Sequence, residues 1–304
     1  MRWQRAPNCE TKWCFFPRRV SVAQCVVGQA RGFVTPEVSQ LLARRVNSVG
    51  VAARGAQATF FRLGLHDAVP TTSSPRLNAA IRHFHSVVSV QFEHGDPVLP
   101  RNNCSFPSAD RACSFWAPKY LHQMTRVSRC LGDVLAHETR VGIQFSYFVR
   151  WRPDAAFLVT PHVTPGCWTK NAIIFQKKEC RGKFNAASSR FAGAMDQAFA
   201  VPRRHFAWLE SVHATWRSCA SLAQMRVACR YTVPDPVCRR DMPRRHALQN
   251  HPDVSYIANE SYGDFPTECY VVHTLLSHVP VADVRFAFFG HGRFLRSDGT
   301  NRYF

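Results

Sequence analysis

The sequence predicts an α/β domain whose mostly parallel sheet is flanked by helices and closed by a C-terminal hairpin. Three observations predict it. Between residues 21 and 92, strand-like and helix-like stretches alternate, the pattern that builds a parallel sheet through crossover helices. Ser146–Val163, SYFVRWRPDAAFLVTPHV, reads as a buried strand, a charged break at Arg150, Arg152 and Asp154, and a second apolar strand. Apolar residues make up 46% of the chain and charged residues 19%, a balance that supports a core and excludes a disordered chain. At 304 residues without an internal repeat or a linker, the chain reads as one domain over 21–304 behind a poorly ordered lead-in over 1–20.

The elements follow in order. Ser21–Val27 is the first strand, and Gly28–Gly32 a flexible loop. Thr35 as N-cap and Pro36 at the first helical position open a helix over 36–49. Its Val38, Leu41, Leu42, Val46 and Val49 keep helical spacing. Ala58–Leu65 is the second strand, ending in His66–Asp67; Pro75–Phe84 is a short helix; Ser86–Phe92 is the third strand. The Pro-, Asn- and Ser-rich stretch near 95–115 reads as an inserted loop. A long helix covers 117–140, with Leu121, Met124, Val127, Leu131 and Val134 on its inner side. Residues 164–190 lack periodicity and read as a second insertion. Asp196–Val201 is a strand, Pro202–Arg217 a helix, Glu268–His278 a helix behind Pro266, and 281–289 and 293–296 the closing strands.

A net charge of +19 favours polyanions or anionic substrates. The positive residues are nearly all Arg and are scattered apart from a few pairs, so composition does not choose between these partners. None of the twelve cysteines forms C-x-x-C, which disfavours a ribbon-type zinc site. Disulfides made in a secretory compartment, with Cys104/Cys113 and Cys167/Cys180 as local bridges, and buried free thiols remain open alternatives. No apolar run reaches the length of a membrane span, and the first twenty residues lack an apolar signal core and a cleavage site. The expected setting is the Golgi or secretory lumen if an N-terminal anchor is missing from this chain, and the cytoplasm otherwise.

Pro153 pushes Arg152 out of helical conformation, so the chain leaves the sheet there in extended form. Ligands of open α/β sheets bind beyond the carboxyl ends of strands. Two arginines and an aspartate at such an end suit a phosphate and, through Asp154, a metal or a hydroxyl. A structural Arg–Asp pair closing a tight turn is the alternative. Gly28 and Gly32 would let backbone approach a phosphate at a helix N-terminus, or they belong to an ordinary strand-to-helix turn. The chain holds neither G-x-G-x-x-G nor a P-loop.

The order of several short motifs resembles glycosyltransferase-like proteins of algae and plants. These motifs are Gly28-Gln29-Ala30-Arg31, a strand running to Asp67, Arg150-Trp151-Arg152-Pro153-Asp154, Asp196-Gln197-Ala198-Phe199-Ala200, Pro266-Thr267-Glu268 and Arg296-Ser297-Asp298-Gly299. The resemblance spans roughly residues 22–299, and its most specific parts are the R-x-R-P-D and D-x-F-A segments. It implies a Rossmann-like, GT-A-like sheet that binds a nucleotide-sugar and passes the sugar to a glycan, lipid or protein acceptor. By position, Gly28, Arg31 and Asp67 would lie near the nucleotide, and Arg150, Arg152 and Asp154 at the diphosphate. Asp154 would stand in the place of the acid that holds Mn²⁺ or Mg²⁺. Asp196 would be the acceptor's base and Glu268 its second candidate, an N-cap or strand-edge role being the alternative for Asp196. One departure is plain: the chain has no D-x-D pair for the metal. Either the arginines neutralise the leaving diphosphate, or catalysis is lost.

Two other classes compete. A basic polyanion- or nucleic-acid-binding α/β protein without catalysis would show one continuous basic face and steep salt dependence. The sequence has no RNA-binding signature and no basic–aromatic interleaving, which disfavours nucleic acid. A zinc- or thiol-dependent enzyme would draw on His66, His83, His85, His94, Cys104 and Cys113, which crowd one region.

Overall fold

The computed structural model describes residues 19–65, 74–98, 111–157, 173–176, 195–217, 275, 278–280, 283–287, 292–295 and 301–303. Of these, 111–120, 156–157, 174–176, 195–197, 212–217, 284–287, 292–295 and 301–303 are described by their backbone alone.

The fold is α/β, with a mixed, mostly parallel sheet. The elements run β1 (Val20–Gln29), α1 (Pro36–Ala53), β2 (Arg54–Leu65), α2 (Pro75–Ile81), β3 (Val87–His94), α3 (Arg111–Val141), β4 (Tyr147–Trp151), β5 (Ala155–Phe157), β6 (Ile173–Gln176), β7 (Met195–Pro202), α4 (Phe206–Arg217), β8 (Val284–Ala287), β9 (Gly292–Leu295) and β10 (Asn301–Tyr303). Seven strands form one sheet in the order β3-β2-β1-β4-β7-β6-β8. Only β7 runs against its neighbours β4 and β6; the other pairings are parallel. The two expected closing strands do not pair with each other: β8 joins the edge of the large sheet beside β6, while β9 pairs antiparallel with β10 and with β5 in a second, three-stranded sheet.

The two faces of the large sheet are buried separately. Alternate residues of β1 face opposite ways, as a two-residue period requires. Ala23, Cys25 and Val27 pack with Leu121, Met124, Val127, Leu131 and Val134 of α3 and with Trp208 and Leu209 of α4. Val22 and Val26 pack with Leu42, Val46 and Val49 of α1 and Leu77 of α2. On the α3 side, Cys25 and Cys130 form a disulfide, and both residues are wholly buried.

The structure corrects several expectations. The long helix starts at Arg111, so the insertion expected over 95–115 gives its last residues to α3. Gly28–Gly32 is not a loose loop: β1 runs through Gln29, and Ala30–Gly32 form a 3-10 turn with Ala30 and Gly32 buried. Thr35 caps α1 by position, without a hydrogen bond from its hydroxyl, and Pro36 does occupy the first turn. A 3-10 turn over Arg203–His205 separates β7 from α4, so the helix expected from Pro202 begins at Phe206. Arg150 is no part of a charged break; it lies inside β4, buried. The partner of Cys130 is Cys25 of β1, a pairing across 105 residues that cysteine spacing does not reveal. The Cys104/Cys113 and Cys167/Cys180 pairings fall outside the described side chains.

Candidate functional site

The strand order reverses direction at β1. The chain steps from β1 outward to β2 and β3, then returns through α3 to β4 on the other side of β1. A crevice opens beyond the carboxyl ends of two parallel strands at such a switch point. Here those ends are Gln29 of β1 and Trp151 of β4.

Buried side chains fix both ends. Gln24 of β1 donates from Nε2 to the carbonyl of Val46 on α1 at 2.9 Å, and its Oε1 accepts from the indole of Trp151 at 3.0 Å. Satisfying both ends of a buried amide ties α1, β1 and the last residue of β4 into one unit. Pro153 lies against Gly28: a Cβ on Gly28 would come within 2.9 Å of the proline Cδ, and the glycine φ is +151°. Gly28 thus serves close contact with the β4 turn, where the sequence suggested backbone approach to a phosphate.

The charged group sits on this base. The turn after β4 brings the amide of Ala155 to the carbonyl of Arg152 at 3.3 Å. Arg152 forks onto Asp154, Nε to Oδ1 at 2.7 Å and Nη2 to Oδ2 at 3.0 Å. Arg31, from the turn after β1, places Nη2 3.6 Å from the same Oδ2. The Asp154 side chain is 6% exposed, that of Arg152 19% and that of Arg31 44%. A buried carboxylate therefore holds two guanidinium groups that reach toward solvent from neighbouring strands. Burial alone would push the Asp154 carboxyl up. The charge and hydrogen bonds of Arg152, with the charges of Arg31 and Arg150, outweigh this and hold it below the ordinary carboxylate range.

Arg150 contributes from behind. Its guanidinium donates to Gln123 of α3 at 2.9 Å and lies over the ring of Phe199, 5.7 Å from its centroid. The guanidinium expected at the diphosphate is thus buried, with these contacts on the α3 side of β4.

The described surroundings of Asp154 do not fit Mn²⁺ or Mg²⁺, which want several oxygen ligands. Both Asp154 oxygens accept from Arg152, and among the described residues no three His, Cys, Asp or Glu side chains gather as a metal group.

The backbone of Asp196 lies at the same rim. β7 runs antiparallel to β4 with Ala198 opposite Trp151, and Asp196 precedes Ala198 by two residues. Asp67 and Glu268 lie outside the described residues.

A second polar group, missed by the sequence reading, occupies the rim on the α3 side. Glu93, near the end of β3, accepts from Arg62 at 2.8 Å, Arg126 at 3.1 Å and Arg129 at 3.1 Å. Burial pushes its carboxyl up, but the hydrogen bonds and charges of these arginines overcome that and lower it. Asp133 completes the cluster through a bidentate pair with Arg62. Just past Gly95, Asp96 has Oδ2 3.1 Å from Nδ1 of His122 and Oδ1 3.5 Å from Nη2 of the buried Arg126. Gln29, the last residue of β1, donates from Nε2 to Oδ1 of Asp96 at 3.4 Å. A signal existed: His122, Arg126, Arg129 and Asp133 keep helical spacing among themselves and form a polar stripe beside the apolar one.

Compared with models of known protein families and with curated proteins, the chain matches none.

Proposed function

We propose that this protein is a glycosyltransferase that holds a nucleotide-sugar in the crevice between β1 and β4, on a Rossmann-like, GT-A-like sheet. The observation that carries the reading is the meeting of Arg31 and Arg152 over Asp154 at the point where the strand order reverses. The parallel run β3-β2-β1-β4, the single reversed strand β7 and the small sheet beginning at β5, just after Asp154, support that scaffold. Glycosyl transfer needs its leaving diphosphate neutralised, and fixed cations do this without reorganising. Arg31 and Arg152 against Asp154 leave one net positive charge at the rim, with the buried Arg150 adding its field from behind. These guanidiniums, rather than Mn²⁺ or Mg²⁺, are the neutralising groups in this reading. Asp154 aims Arg31 and Arg152 and does not itself touch the ligand. The acceptor is a glycan, lipid or protein hydroxyl, with Asp196 as its base and Glu268 the second candidate. The buried Cys25–Cys130 bridge supports an oxidising, secretory setting.

Thermal melting with UDP-sugars and GDP-sugars, with and without Mn²⁺, tests the proposal. A ligand at 100 times its Kd stabilises by about 2.7 kcal/mol, a rise of roughly 4 °C for a chain of this length. The expected rise is independent of Mn²⁺ and absent in Arg31→Ala. No rise with any nucleotide-sugar under either condition refutes it.

A further inference from the structure

We propose that Asp96 is the group that receives the ribose hydroxyls of the donor nucleotide, an inference that rests on the transferase reading above. The carboxylate has neighbours on three sides, one of them a hydrogen-bond donor, Gln29. His122 stands 3.1 Å from Oδ2, while Gln29 at 3.4 Å and Arg126 at 3.5 Å reach Oδ1. Arg126 is itself pinned, donating to the carbonyl of Gly95 at 2.7 Å and to Glu93 at 3.1 Å. The fourth side is open, since the Asp96 side chain is 44% exposed. A carboxylate offers about four acceptor positions, so a half-open one with a single hydrogen-bond donor on it has acceptor capacity left for a neutral donor such as a hydroxyl. A second anion would be repelled there.

Its place in the fold says which hydroxyls. Asp96 follows β3 at the same carboxyl rim as the guanidinium pair, on the β3-β2-β1 half of the sheet. In doubly wound sheets, that half carries one mononucleotide. Gln29, which touches Asp96, lies two residues before Arg31, a span of at most about 7 Å along the chain. A phosphate on Arg31 therefore sets the attached ribose toward Asp96, with the transferred sugar directed the other way, over β4 and β5. Gly64 lets Arg126 and Gln29 close on this corner: a Cβ there would come within 2.8 Å of Arg126 Nη2 and 2.9 Å of Gln29 Oε1.

Titration calorimetry with inorganic pyrophosphate, UDP, GDP and their 2′-deoxy and 3′-deoxy forms tests the assignment. A hydrogen bond to a charged group is worth about 1.5–3 kcal/mol, so the intact protein should bind the ribose form at least about tenfold more tightly than one or both deoxy forms. Asp96→Asn should lose most of that preference while binding pyrophosphate as before. Equal affinity of wild type for ribose and both deoxy forms, with pyrophosphate still bound, overturns this inference and leaves the transferase reading standing. Failure of pyrophosphate and nucleoside diphosphates alike overturns both. The wild-type comparison alone decides the matter should Asp96→Asn fail to fold.

Discussion

Replacing Cys25 and Cys130 together by alanine removes the covalent link between the sheet's central strand and its longest helix. The bridge spans 105 residues of chain. In the chain-entropy treatment, closing a loop of that length removes about 16 cal/mol/K from the unfolded ensemble, or about 4.8 kcal/mol at 25 °C. Taking about 2.1 cal/mol/K of unfolding entropy per residue, a chain of 304 residues melts with roughly 0.64 kcal/mol/K. The double variant should therefore melt roughly 7 °C lower. Both cysteines are wholly buried among Leu121, Val127, Leu131 and Phe148, so lost packing adds to the deficit. Urea unfolding adds a second readout. The uncrosslinked denatured chain exposes more surface, so the m-value should rise while the midpoint falls. A thiol titration in denaturant closes the assay: protein purified without reductant should show at most ten of its twelve thiols. Twelve thiols, or a double variant that melts with wild type, would refute the reasoning.

Two further outcomes follow from the rim. Gly28→Ala sets a methyl about 2.9 Å from the Pro153 ring at a φ that side chains rarely adopt. It should cost about 1–3 kcal/mol by overpacking, read by chemical unfolding, and should weaken pyrophosphate binding by shifting the β4 turn; an unchanged stability would show that the contact yields freely. Asp154 should stabilise the fold in a pH-dependent way. Its folded pKa lies below the unfolded value of about 3.9, so the unfolded chain binds more protons between the two and stability rises with pH there. The contribution is fully present above that unfolded value and is lost as pH falls through the folded one. The stability gap between wild type and Asp154→Asn should be constant from pH 7 to about 5 and close under acid. A gap that widens on acidification would contradict the sign.

How legible the molecule was in its sequence depends on the range of the interaction involved. The strands and helices from β1 to β4 were readable because period, Pro and Gly are local signals: Pro36 opens α1, Pro75 opens α2, and Pro153 ends the extended run after β4. Arg31, Arg152 and Asp154 were readable as a group because strand ends at one rim gather whatever follows them. The start of α3 was missed because Pro97, Pro100 and Pro107, with the Asn and Ser residues near them, suggest loop as far as residue 115, where the helix already starts at Arg111. Arg150 was misjudged because a charge in a strand reads as a strand end, whereas here Gln123 and the Phe199 ring receive it inside the core. The disulfide and the Glu93 cluster were out of reach for one reason. Each joins segments that tertiary packing alone brings together, at separations of 105 residues for the cysteines and 33 for Glu93 and Arg126.

The sequence allowed the Arg–Asp motif a second meaning, a pair that merely closes a turn, and the geometry bears on that choice. Closing the turn after β4 requires one partner for Asp154. Arg152 fills that role with two hydrogen bonds, aided by the backbone bond from Ala155 to Arg152. A third group is superfluous for that purpose, yet Arg31 arrives from another strand and stops 3.6 Å away, with close to half of its side chain in solvent. At that distance and exposure its attraction to Asp154 contributes under about 1 kcal/mol, too little to explain a buried carboxylate by stability alone. Burying a charge without full compensation is costly, and a well-packed apolar residue would close the same turn more cheaply. What the arrangement gains is direction. Gly28 pressed on Pro153, and Gln24 spanning Val46 and Trp151, hold the two strand ends rigidly. Asp154 then draws a guanidinium from each to one carboxylate at the rim. Under the transferase reading proposed above, two cations preset in that way would cost little to order on a diphosphate, a gain that closing a turn does not call for.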